Sequence, residues 1–149
     1  MHGPHDFHSM NHYLCLHVLA RKFQIEKLQN RTMDLIRDYY HNEDMTSPPF
    51  RLDYIYQNTD EPNVMREFLM SSAAYRAWYD AENGGVLSDS MRAVFSKEGG
   101  IGPDFAQALL DLIKNDRADP RKGDPCRWHV HDVTHKCKTW GGFEPWQTA

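Results

Sequence analysis

One stretch of this 149-residue sequence concentrates groups able to bind or transform something: Asp124-Pro-Cys-Arg-Trp-His-Val-His-Asp-Val-Thr-His-Lys-Cys137. Its spacing is Cys-x2-His-x-His-x5-Cys over Cys126, His129, His131 and Cys137. Two thiolates and two imidazoles so close together meet the four-coordinate demand of zinc, whose structural sites are commonly Cys2His2 and closed to water. In an extended segment side chains alternate with period two, so His129 and His131 share a face, and the longer gap lets Cys137 fold back. His135 is the alternative fourth ligand. A standard finger separates a Cys pair from a His pair by about a dozen residues, which this pattern does not.

Other chemistries fit the same residues less well. His-x-His also opens catalytic zinc sites with a water position, but those pairs end buried strands and draw further ligands from distant loops. Here Asp-Pro-Cys-Arg-Trp precedes the pair, no strand-rich scaffold is foreseen, and a Cys126 nucleophile has only formal support. No catalysis and no small-molecule substrate are expected. Residues 117–138 hold six Lys/Arg against three Asp, a local +3 that leaves −7 for the rest. With Trp128 and Trp140 as stacking platforms, that charge frames the alternative of a small zinc-dependent nucleic-acid binder, though it is low for the task.

The whole chain has a formal charge of −4 and is 40% hydrophobic and 26% charged, which describes one modest domain without polycationic character. No apolar run approaches the roughly 20 residues that span a bilayer, and Met1–Met10 lacks a signal-peptide core. An intracellular location is expected, nuclear or cytoplasmic. Three cysteines are too few and odd in number for a disulfide framework.

The elements that must position the Cys/His tail read as helices. Residues 1–12 form a histidine-rich lead expected to be flexible, residues 13–118 a helical domain, and residues 119–149 the tail. Tyr13–Phe23 is densely apolar. After a break at Gln24 and Ile25, Glu26 to Tyr40 places Leu28, Thr32, Leu35, Ile36 and Tyr39 on one stripe, with Lys27, Arg31, Asp34, Arg37 and Asp38 outside it. Ser47 caps a short helix from Pro48 to Tyr56. Pro62 opens another to Ala81, with Val64, Phe68, Ala74, Tyr75 and Trp78 facing the core, and Asn83-Gly84-Gly85 ends it. Ser88 caps a fifth helix, Gly99-Gly100 stops it, and Pro103 starts the last. The expectation is an all-α fold of five or six helices in a bundle-like arrangement with an irregular tail, onto which Trp128, Trp140, Phe143 and Trp146 help to dock.

The segment LHVLARKFQIEKLQNRTMDLIRDYY, residues 16–40, resembles the closing helical pair of a fungal BTB/POZ domain, with Leu16, Val18, Leu19, Ala20, Phe23, Ile25 and Leu28 at the matching apolar places. The proline-containing linker, the helix at Leu52–Thr59 and the late CRWHVH motif are similar to the same group, and the resemblance covers roughly residues 13–137. It implies a protein interaction or adaptor role. The sheet-forming half of such a domain has no counterpart before Tyr13, so Leu14, Leu16, Val18 and Phe23 are expected to form a partner or self-association surface. The combined expectation is a non-catalytic, BTB-like protein interaction module with a structural zinc in its tail.

Overall fold

A computed structural model describes residues 3–60 and 62–137. Six α-helices and one 3-10 turn form its regular structure, and no strand occurs among the described residues, as expected of an all-α fold. The chain divides into two compact units, one of residues 1–45 with 121–149 and the other of residues 46–120. In this division the tail groups with the first two helices.

In the first unit, α1 spans Met10–Lys22 and α2 spans Glu26–Asn42. Helix α1 starts inside the segment assigned to the lead. The Asp6 Oδ1 accepts from Ser9 N at 2.7 Å, while Ser9 Oγ accepts from the amides of His5 and Asp6, so this local turn leads into the helix. The inward face of α1 is Met10, Leu14, His17 and Ala20, at helical spacing. Leu14 is only 2% exposed and is corrected from surface to core residue, whereas Leu16 and Val18 are half-buried and Phe23 is 66% exposed. The inward apolar residues of α2 are Met33, Ile36 and Tyr40, so its buried face is rotated from the expected stripe, sharing Thr32 and Ile36 with it.

Both helices end in the same way. After α1, Ile25 N donates to Ala20 O and Gln24 N to Arg21 O, with Gln24 in the left-handed region at φ 57°. After α2, Met45 N donates to Tyr40 O and Asp44 N to His41 O, with Asp44 at φ 48°. These are Schellman endings, which satisfy orphan carbonyls at the cost of a strained residue where glycine is usual. Arg121, 5% exposed, secures the second one: its Nη1 donates to Met45 O at 2.8 Å and Asp44 Oδ1 at 3.1 Å.

The second unit contains α3 (Pro49–Asn58), α4 (Val64–Glu82), α5 (Asp89–Phe95) and α6 (Ile101–Lys114). Asn63 caps α4 by accepting from Met65 N and Arg66 N, and Ser88 caps α5 by accepting from Met91 N. Leu52, Ile55, Met65, Phe68, Leu69, Ala73 and Ala74 are at most 1% exposed, and Phe95 stacks on Phe105 at 4.0 Å. Val64, Tyr75 and Trp78 are only half-buried. The Tyr56 hydroxyl donates to Asp104 Oδ2 at 2.6 Å, while the Arg66 guanidinium lies 4.1 Å from the Tyr56 ring and donates to the Tyr56 and Thr59 carbonyls, tying α3, α4 and α6 together.

His17 is fully buried, and neither ring nitrogen has a hydrogen-bond partner. Burial, assisted by the charge of Arg21, holds its pKa down to about 4. The unfolded chain, titrating near 6.5, therefore binds the extra proton between these values. The stability carried by the neutral ring is complete above about pH 6.5 and falls by roughly 3 kcal/mol as the pH drops towards 4. In denaturant unfolding at pH 7.5 and 5, His17→Leu is expected to flatten that dependence relative to the parent, since the Cys/His tail is common to both. Equal slopes refute the assignment. Leu14→Ala is expected to lose about 2–5 kcal/mol in the same experiment; a loss within about 0.5 kcal/mol returns Leu14 to the surface.

Candidate metal centre

The tail enters the first unit at Arg121 and is built residue by residue onto one face of α2. Asp124 accepts from Cys126 N at 2.9 Å and starts the 3-10 turn Pro125–Trp128, which fixes Cys126 at its beginning and delivers His129 just after its end. Trp128 is 3% exposed, with the Arg127 guanidinium 4.4 Å from its ring centre. It anchors the turn as an apolar side chain and is not available to stack on bases. The other expected aromatic anchors, Trp140, Phe143 and Trp146, lie outside the described residues.

Beyond the turn the backbone is extended, and α2 supplies the hydrogen bonds that a strand partner would. Asn30 clasps Val130 in both directions: Nδ2 donates to Val130 O and Oδ1 accepts from Val130 N, each at 2.8 Å. One helical turn earlier, the Glu26 carboxylate accepts from the amides of Asp132, Val133 and Thr134 at 3.1–3.2 Å and from the Thr134 hydroxyl at 2.8 Å. Desolvation opposes its ionisation, yet these donors together hold the Glu26 carboxyl below the usual carboxylate range. One turn later Asp34 Oδ1 meets His129 Nε2 at 2.5 Å, and Arg37 Nη2 donates to Gly123 O at 2.6 Å. Glu26, Asn30, Asp34 and Arg37 thus form a single polar stripe at helical spacing.

The stripe gathers the four ligand candidates. The donor atoms of Cys126, His129, His131 and Cys137 all lie within 4.8 Å of one another. Cys126 Sγ and Cys137 Sγ are each 3.6 Å from His131 Nε2, and His129 Nδ1 is 3.0 Å from Cys137 Sγ. With zinc bonds of about 2.3 Å to sulfur and about 2.0 Å to nitrogen, a tetrahedral site has nitrogen-to-sulfur edges of roughly 3.5 Å, so the residues present fit such an ion. Among the described residues, the exposed His135 and Cys15 belong to no such group, and its fourth member is His131.

Hydrogen bonds assign the imidazole tautomers. A carboxylate only accepts, so His129 carries its proton on Nε2 toward Asp34 and presents the Nδ1 lone pair to the cluster. The Thr134 hydroxyl spends its proton on Glu26, so it accepts from His131 Nδ1 at 3.0 Å and leaves the Nε2 lone pair facing the two sulfurs. Each ligand imidazole is therefore oriented by a carboxylate on α2, directly for His129 and through Thr134 for His131, as in the outer shells that raise ligand basicity in zinc sites. The Cys137 sulfur behaves oppositely without a cation. Desolvation, then the hydrogen bond and charge of Cys126, push the Cys137 thiol up to about 12. A divalent ion among these donors would reverse that balance and hold both as thiolates.

Sequence reasoning identified the four donors and missed their positioning residues. Asp34 and Arg37 were expected outside the stripe that packs, yet Arg37 is 1% exposed and Asp34 orients a ligand. Their signal was the spacing of polar residues 26, 30, 34 and 37 along one face, which on most helices marks a solvated side. Comparison of the chain with family models, with curated proteins and with solved structures finds no match to any of them.

Removing an orienting group should weaken metal binding without removing a ligand. Asp34→Ala and Thr134→Val are each expected to lower zinc affinity about 10- to 100-fold in competition with a chromophoric chelator, whereas His135→Ala leaves it unchanged. Unaltered affinity in both of the first two variants would contradict the outer-shell assignment, and a loss in His135→Ala would contradict the ligand set.

Proposed function

We propose that this chain is a non-catalytic protein interaction module whose tail is fastened to a helical hairpin by a structural zinc ion. The observation that carries the proposal is the closed donor set: four protein ligands converge on one point, where a catalytic zinc site keeps three and leaves a position for water. The carboxylates of Glu26, Asp34 and Asp124 each accept hydrogen bonds from the tail, which orient its backbone and imidazoles. When bound, zinc supplies a cross-link between the turn at Cys126 and the end of the described tail at Cys137, and its binding energy becomes folding energy for a segment with little regular structure.

The helical pair α1 and α2 is compatible with the BTB-like reading of residues 16–40 and with an adaptor role. On this reading the interaction surface keeps Phe23, which is exposed at the end of α1, and loses Leu14, which is buried, while Leu16 and Val18 are half-buried. The nucleic-acid alternative is weakened by two of its own residues: Trp128 is buried, and Arg121 is bound to Asp44 and Met45. No helix among the described residues is long and apolar enough to cross a membrane.

Elemental analysis of the full chain without an affinity tag is expected to give about one zinc per chain, lost in Cys126→Ser. Cobalt substituted for zinc should show the intense visible bands of a tetrahedral thiolate site, insensitive to added azide. Absence of metal in the intact chain overturns the zinc clip, and a spectrum that shifts with azide overturns the closed, non-catalytic site.

A further inference from the structure

The corner between α1 and α2 exposes large apolar side chains where a helical hairpin would ordinarily be polar. Leu19 is 49% exposed, Phe23 66% and Ile25 47%. Leu19 and Phe23 are four residues apart and share a face, while the Schellman ending, with Gln24 in the left-handed region, turns Ile25 back so that its amide reaches Ala20 O. Three such side chains within seven residues form a cluster rather than scattered exposure.

Within residues 19–31 the exposed charged side chains are all cationic. Residues 19–31 contain Arg21, Lys22, Lys27 and Arg31, and Lys22, Lys27 and Arg31 are exposed. Glu26 is their only acidic residue, and its carboxylate faces the amides of residues 132–134 instead of the corner. Cationic edges around a short apolar ridge complement a helix that carries apolar residues at i, i+3, i+4 and i+7 with acids on either side. A second copy seated symmetrically would set Lys22 and Lys27 against like charges. An anionic membrane would meet a chain of net charge −4 with only three apolar side chains to insert.

From this surface we infer that the α1–α2 corner, built on Leu19, Phe23 and Ile25 and flanked by Lys22 and Lys27, docks an acidic amphipathic helix of a partner protein. The inference rests on the interaction-module part of the proposed function and not on its metal.

The test uses the full, zinc-supplemented chain and a fluorescein-labelled 18-residue peptide with Leu at i, i+3, i+4 and i+7 and Glu at most other positions. Anisotropy should report saturable binding that weakens with rising salt, by at least about tenfold with Phe23→Ser and similarly with the double variant Lys22→Glu/Lys27→Glu. A peptide with Lys in place of Glu should not bind. Phe23 and both lysines are exposed, and thermal melts and zinc content of the variants, unchanged from the parent, show that they fold. Absence of binding, insensitivity to both variants, or equal binding of the Lys peptide overturns the inference. So does retention on phosphatidylserine vesicles without peptide binding, or a dimer in sedimentation that Phe23→Ser abolishes. Zinc stoichiometry is read separately: peptide binding by a metal-free chain leaves this surface standing and removes the clip, and a zinc-loaded chain without peptide binding does the reverse.

Discussion

A tail with almost no regular structure can be held against a helix only if something else pairs with its backbone, and the polar stripe of α2 is what does so. Between Arg121 and Cys137 the chain forms one 3-10 turn and otherwise runs without helical or strand hydrogen bonds. An unpaired buried amide or carbonyl costs of the order of 1–3 kcal/mol, so several left open would cancel any gain from burying Trp128. Glu26, Asn30, Asp34 and Arg37 answer these groups one helical turn at a time. The regular rise of α2 thereby acts as a ruler that sets the spacing of the tail.

The ligand cluster inherits its geometry from that ruler. Asn30 holds Val130 between the two histidines, so His129 and His131 project to the same side of a short extended segment. Asp34 and the Glu26–Thr134 pair then fix which nitrogen of each ring is free. Zinc would complete an arrangement already oriented by hydrogen bonds, which reduces the ordering its binding must do. The Cys137 sulfur still requires a cation, because desolvation and the neighbouring Cys126 disfavour the thiolate that a metal needs.

Helix endings supply a second constraint. Non-glycine residues occupy left-handed positions after α1, α2 and α6, at Gln24, Asp44 and Asp116, while Gly84 serves after α4. There the chain also needs Gly85, since a Cβ on it would come within 2.9 Å of the Asp80 carbonyl oxygen. Asp44 is tied down by Arg121 from the tail. Tail and hairpin thus stabilise each other, which is why their residues group as one unit although some seventy-five residues separate them in the chain.

Local rules made much of this legible beforehand. Proline, asparagine and glycine positions and Ser88 located the helices to within a few residues, because caps and breaks act through covalent neighbours, although Ser47 makes no cap on α3, whose N-cap is Pro48. The donor spacing of Cys126, His129, His131 and Cys137 was visible for the same reason, since a short loop's reach is set by bond geometry. Tertiary structure alone decided which way each helix turns. It buried Leu14 and Arg37, left Phe23 exposed, and gave Glu26 and Asp34 partners about 100 residues away. A charged residue on a helix reads as solvated until a distant segment brings amides or an imidazole to it. Nothing in the local sequence encodes that meeting: the compensation of a buried charge depends on where the rest of the chain is in space.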